Sequence, residues 1–178
     1  MYRVREAKLE DAGAIASVHV KSWLTTYGNI IKHEDLKQVI SYERRKAQWE
    51  GILKSRTISR FIYVAETEDG EIVGFISGGK ERSKKFPYDG EIYAIYILQE
   101  HQGKGLGGML LNTFAITLKE NGYQSVLVWV LTSNPSSKFY EYFGAQPVDA
   151  DHITIGSGTY EETAYGWDHI DDLLNEFH

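Results

Sequence analysis

Ahead of a helix-forming stretch the chain places Gln102-Gly103-Lys104-Gly105-Leu106-Gly107-Gly108. Small residues at a helix start let the backbone close on an anion, because the first helical N–H groups lack intrahelical acceptors and the helix dipole adds positive potential. Lys104 adds a cation, so the segment points to phosphate. A Walker loop needs Gly-Lys followed by Ser or Thr for magnesium, and here Lys104 is followed by Gly105. Gly103, Gly105 and Gly108 do satisfy G-x-G-x-x-G. However, Gln99 to Gln102 separate them from the preceding strand, and the next strand ends in Thr132-Ser133, with no carboxylate for a ribose hydroxyl. A plain helix cap does not require four glycines in six residues, each of which weakens a helix.

Other side chains narrow the chemistry. The chain has no cysteine, which excludes disulfides, a thiolate nucleophile and Cys-containing zinc sites. There is no G-x-S-x-G elbow. Six histidines are present, and the only local clusters, Asp149-Ala150-Asp151-His152 and His169-Ile170-Asp171-Asp172, read as solvated turns, so no metal site is expected. His101 beside the glycine turn reads as exposed. The basic stretch Lys80-Glu81-Arg82-Ser83-Lys84-Lys85 reads as a solvated loop.

The elements that must position these residues follow from periodicity. Tyr2 to Ala7 reads as a strand. From Leu9 to Tyr27, Ala12, Ile15, Ala16, Val18 and Trp23 recur at helical spacing behind Glu10 and Asp11. A second helical region spans about 34–53, broken near Ser41. Phe61 to Glu66 and Ile72 to Gly78 read as strands joined by a turn at Glu68-Asp69-Gly70. A third strand covers Glu91 to Leu98, and a helix covers about 105–121, stopped by Asn121-Gly122. Ser125 to Leu131 is apolar enough for a buried strand. A short helix at 136–143, strands near 152–155 and 162–167, and a last turn or two at 170–177 complete the chain. The order β-αα-βββ-α-β-α-ββ predicts an α/β (α+β) fold, a mixed central sheet with helices on both faces.

At 178 residues the chain suits one domain, 1–178. It is 42% hydrophobic, 25% charged and 13% aromatic, the balance of a folded globular protein with rings to spare for a pocket. The first residues lack an apolar secretion signal, and the longest apolar run, Val126 to Leu131, cannot span a bilayer. A soluble, cytoplasmic protein without membrane contact is expected. Net charge is −6: residues 1–90 hold 16 basic and 13 acidic side chains, and residues 91–178 hold 3 and 12. That balance disfavours nucleic-acid binding. The acidic second half could draw in a cationic substrate, though solubility is the better explanation.

Gln102 to Gly107 also resembles the Q/R-x-x-G-x-G/A pattern of the GNAT superfamily of N-acetyltransferases. Glu91-Ile92-Tyr93-Ala94-Ile95-Tyr96-Ile97 resembles that family's central strand, and Asn134 to Gly144 its second coenzyme A segment. The order of elements agrees along nearly the whole chain, and the stretch from His19 to Tyr27 is similar to a bacterial subgroup. The resemblance implies acetyl-CoA as cosubstrate, no metal and no covalent intermediate. Pantetheine would enter between parted strands at 91–98 and 125–131 and pair with the backbone of Ile95, Tyr96 and Ile97. Gln102, Gly103, Lys104, Gly105, Leu106, Gly107 and Gly108 would hold the diphosphate, and Asn134 the coenzyme A arm. An acceptor amine with a pKa near ~10.4 must lose a proton before it attacks, and Glu91 holds the base position. Tyr140 matches the general acid for the leaving thiolate. Five residues separate Asn134 from Tyr140, where many members have six, and Tyr142 is the fallback. The Ile97 N–H would polarise the carbonyl. Trp23, Tyr27, Tyr88, Trp129 and Tyr165 are candidate acceptor walls, each of which could equally be core. An acyl-CoA sensor without turnover, or a transferase using another acyl-CoA, is the alternative. An edge strand or the late hairpin is where a homodimer would form.

Overall fold

The computed structural model describes residues 1–55 and 59–177. The strands are β1 (Tyr2–Glu6), β2 (Arg60–Thr67), β3 (Ile72–Lys80), β4 (Gly90–Ile97), β5 (Val126–Leu131), β6 (Gln146–Ile155) and β7 (Gly158–Trp167). They form one mixed sheet ordered β1-β2-β3-β4-β5-β7-β6, in which β4 and β5 are parallel and the other neighbours antiparallel. The helices are α1 (Ala12–Tyr27), α2 (His33–Val39), α3 (Tyr42–Lys54), α4 (Leu106–Glu120), α5 (Ser137–Tyr142) and α6 (Ile170–Asn175). The mixed sheet flanked by helices is the expected architecture.

The apolar stripe of α1 (Ala12, Ile15, Ala16, Val18) is buried on β3 and β4, and α3 packs on α1. On the opposite face α4 buries Leu110, Leu111, Phe114 and Leu118 against β2, β3 and β4, and α6 closes over α4 and β7. The break near Ser41 is real: its Oγ accepts the Arg44 N–H at 3.4 Å and caps α3.

The strand pair β6–β7 is longer than periodicity predicts, running ten residues on each side of Gly156-Ser157. β6 is an edge strand exposed along nearly its whole length, so no apolar alternation marks it. Its turn is tied to α2 through the buried carboxylate of Asp35. Asp35 Oδ1 accepts the Ser157 N–H and Oγ–H, each at 2.9 Å, and Oδ2 accepts the Tyr160 hydroxyl at 2.7 Å. A small second core of Tyr27, Ile31, Leu36, Leu131 and Ile155 lies beneath this tie.

Candidate active site

β4 and β5 pair at only three positions, Gly90–Val126, Glu91–Leu127 and Ile92–Val128. Beyond them the strands part. β4 stays paired to β3 on its other side, with a bulge at Tyr93, since Ser77 opposes Ala94 and Gly78 opposes Ile92. Leu98 N–H donates to Val73 O at 2.9 Å, so strand alternation turns the backbone groups of Ile95 and Ile97 into the gap and those of Tyr96 toward β3. The resulting cleft has a volume of about 970 Å³. Its walls include Ser22 and Thr26 of α1, Asn112 of α4, Phe139 of α5 and Phe177 beyond α6. Ser22 Oγ and Asn112 Oδ1 are buried there without a partner among the described residues, which marks the cleft as polar enough for a ligand with amides and hydroxyls.

The glycine turn forms one end of this cleft. Gly105 has φ +85°, a left-handed conformation that favours glycine, and a Cβ built there meets nothing within 4 Å. The first helical bond of α4 runs from Met109 N–H to Gly105 O at 3.1 Å. Among the described residues, the N–H groups of Leu106, Gly107 and Gly108 therefore have no acceptor, the arrangement an anion requires. Gln102 Nε2 donates to Ile97 O at 3.0 Å and pins the turn to the end of β4.

Where the strands part, three phenols gather from three elements. Burial raises the hydroxyls of Tyr27, Tyr96 and Tyr140, and the proximity of Tyr27 raises the latter two further. Asn134 Nδ2 donates to Tyr27 Oη at 2.8 Å, and Asn134 Oδ1 accepts the Ser136 N–H at 2.9 Å, so this one amide joins α1 to the start of α5. Tyr140 lines the cleft and is held against Tyr165 with ring centroids 6.4 Å apart and planes 25° apart. Its raised pKa keeps the hydroxyl protonated near neutrality. His19 is pushed down to about 3 by burial and by Arg45; its Nδ1 accepts from Trp49 Nε1 at 3.2 Å, so it is a neutral packing group under Tyr96.

Strand register sorts the remaining candidates by face. Directly paired residues share a face, so Glu91, Leu127, Trp129, Leu131 and Glu162 stand together on the α1 face, and Ile92, Val128 and Tyr165 on the α4 face. Glu91 is buried and saturated by Arg82. Its Oε2 accepts from Arg82 Nη2 at 2.8 Å, and its Oε1 from the Arg82 backbone N–H at 3.1 Å and from Nε at 3.3 Å. The Arg82 guanidinium lies 4.0 Å from the Tyr93 ring centroid, and Arg60 lies 5.0 Å from the same ring. Glu162 is half-buried and has no hydrogen-bond donor among the described residues; burial raises its pKa, Asp151 and Glu91 add to the rise, and Arg82 opposes it.

The acetyltransferase (GNAT) family model matches residues 23–145 of this sequence. YuaI, an uncharacterized N-acetyltransferase of Bacillus subtilis strain 168, is 41% identical over 97% of this chain and 96% of its own. The chain belongs to the GNAT family. PaiA N-acetyltransferase from Thermoplasma acidophilum, solved with coenzyme A, superposes with TM-score 0.76 at 20% identity over 94% of this chain and 99% of that one. YncA from Salmonella typhimurium, solved with acetyl-CoA, does so with TM-score 0.67 at 21% identity over 96% and 95%. Both likenesses are of the fold. GNAT acetyltransferases act on amines, and among the described residues no helix is long and apolar enough to cross a membrane and no three His, Asp or Glu side chains gather as metal ligands.

Against this GNAT frame the residues expected from sequence separate into two sets. Ile95, Tyr96, Ile97, Gln102, Gly103, Gly105, Leu106, Gly107, Gly108, Asn134 and Tyr140 all line the one cleft; Lys104 stays exposed within the same turn. Tyr96 contributes its ring rather than its backbone, because strand alternation turns its amide to β3. The acceptor-wall residues scatter. Trp23 packs on Tyr27 with ring centroids 4.5 Å apart, and Tyr27 belongs to the phenol cluster. Trp129 faces Phe86 on the α1 face, just past the last β4–β5 pair. Tyr165 lies on the α4 face, backs Tyr140 and is not among the residues that line the cleft. Tyr88 lies over Gly166, where a Cβ would come within 2.6 Å of its ring, and donates to Asp168 Oδ1 at 2.5 Å, at the end of β5 away from the parting. Exposed Tyr142 also lines the cleft. Sequence reasoning missed Arg60, Arg82, Tyr93 and Glu162. Arg82 lay in plain view within the basic stretch, but that stretch is folded: Glu81 is buried and accepts from Ser83 and Lys84 N–H groups at 2.8 and 2.7 Å.

Proposed function

We propose that this GNAT protein transfers the acetyl group of acetyl-CoA directly to a primary amine. One observation carries the reading: the unpaired edge of β4, the free N–H groups at the start of α4 and the hydroxyl of Tyr140 all open into the same cleft. In this reading the N–H groups of Leu106 to Gly108 hold the diphosphate, and the inward backbone groups of Ile95 and Ile97 pair with the pantetheine amides. Ser22 and Asn112 supply further polar contacts. Acetyl-CoA supplies an activated thioester; the amine nitrogen forms the C–N bond as the C–S bond breaks.

The chain's part is proton transfer and polarisation. Tyr140, protonated near neutrality as an ordinary phenol is, donates to the departing thiolate. The inward Ile97 N–H faces the carbonyl oxygen as negative charge develops there. Glu91 was the expected base, but a carboxylate saturated by Arg82 accepts a proton poorly. We therefore assign the ammonium proton to Glu162, which is unpaired and raised in pKa on the same face, and give Glu91 the task of holding Arg82.

Calorimetric titration with acetyl-CoA, followed by free-thiol release against a panel of amines, tests the reading. Binding with amine-dependent thiol release is expected. Binding without release from any amine would favour the sensor alternative, and no binding would remove the cleft as a coenzyme A site.

A further inference from the structure

We infer that the acceptor amine also bears a carboxylate, and that Arg60 binds it on the α1 face of the sheet. This rests on the transferase reading and names the class of its acceptor. Arg60 opens β2, and its Nη2 donates to the hydroxyl of Ser77, a buried residue of β3, at 3.1 Å. Its guanidinium is wedged between the rings of Tyr93, at 5.0 Å, and Trp49, at 5.9 Å. Among the described residues its Nε is buried without a partner. No carboxylate reaches Arg60 among the described residues, whereas Arg3 and Arg5 share Glu66, Arg5 also takes Asp11, and Arg82 takes Glu91.

The unpaired guanidinium makes this a site rather than a packing detail. Arg60 and Arg82 flank one ring; Glu91 pairs with Arg82, and among the described residues no carboxylate pairs with Arg60. Keeping a cation half-buried without a counterion is unfavourable, and burial together with Arg82 lowers the Arg60 pKa. A carboxylate on the acceptor would pair the guanidinium that has none. A dianionic phosphate would meet stronger repulsion from Glu91 beside it, so the arrangement favours a singly charged carboxylate, which the planar guanidinium suits. The location fits as well. Tyr93 is the bulge residue immediately after the last β4–β5 pair, so the Arg60 guanidinium, 5.0 Å from that ring, reaches toward the start of the parting from two strands away, on the face opposite α4.

The test compares matched acceptors on the whole protein with saturating acetyl-CoA. Thiol release is measured with L-amino acids and L-dipeptides, each beside its carboxamide. The free acid is expected to have a KM about 100-fold below that of its carboxamide, with kcat little changed, because the lost partner is one member of a desolvated charge pair. In Arg60→Gln the acid's KM should rise until acid and carboxamide no longer differ; Arg60→Lys should restore part of the difference. Acetyl-CoA titration of each variant reports folding, and if Arg60→Gln does not fold, the wild-type comparison and Arg60→Lys still decide. Equal kcat/KM for acid and carboxamide, or discrimination that survives Arg60→Gln, would overturn the carboxylate site while leaving the transferase standing. Absence of release from every amine would instead overturn the transferase reading and the acceptor class with it.

Discussion

The two sides of the parted sheet are built by different means. On the α4 side the cleft is made of backbone: free N–H groups after Gly105, inward amides of Ile95 and Ile97, and small residues that leave room. On the α1 side recognition rests on side chains delivered by the start of β2, the loop before β4, β4 itself and β7, namely Arg60, Arg82, Tyr93 and Glu162. A backbone site needs a short local pattern, so it tolerates little change within that pattern. A side-chain site needs only the topology to hold, so its residues can vary freely and retune the acceptor.

This contrast is most sharply tested on the backbone side. Gly105→Glu should weaken acetyl-CoA by about 100-fold or more in a folded protein, since a carboxylate set against an anion costs several kcal/mol. Titration calorimetry reads it, and unchanged affinity would show that the turn does not hold the diphosphate. Tyr140→Phe should lower kcat by about 100-fold with acetyl-CoA affinity intact, because only a proton is removed; parallel loss of both would make Tyr140 a packing residue.

The charged face offers finer tests. The raised pKa of Glu162 means that the proton-accepting form is lost, on acidification, above the ordinary carboxylate range near ~4.3. The acid limb of kcat/KM should lie there and disappear in Glu162→Gln, with a loss of about 100-fold at the plateau. Glu91→Gln should keep that limb and lower stability by about 2 kcal/mol, between the values for exposed and buried pairs, because Arg82 is partly solvated. If the limb vanishes only in Glu91→Gln, the two roles are exchanged. The smallest effect belongs to Asp35. Tyr160 and Ser157 hold its pKa down, so its contribution to stability is present above the unfolded carboxylate pKa and is lost as pH falls through the folded value. Asp35→Asn should flatten the acid side of the Tm–pH curve, and an unchanged curve would remove the tie as its cause.

The same contrast explains what the sequence revealed. Gln102 to Gly108 is contiguous, Gly103 and Gly105 sit at positive φ, and the strand before it and the helix after it are strongly periodic, so the donor cleft was legible. Arg60 and Glu162 are separated by a hundred residues and meet the site only through strand order, which no local pattern encodes. Tyr165 lies behind Tyr140 rather than along the cleft, because one step of register decides which face a strand residue occupies. Glu91 was placed correctly on its strand, but its partner Arg82 comes from a loop whose folding depends on the buried Glu81.

Three residue pairs between β4 and β5 are all that join four strands to the other three within the sheet. The sheet is thus two half-sheets joined along a short seam in the middle. A molecule seated in that seam acts as a rivet, and mass action then adds stability in proportion to the logarithm of its concentration over Kd. Amide exchange in the empty protein should be fastest along the open edge at Ile95 and Ile97, and donor binding should slow it there before anywhere else.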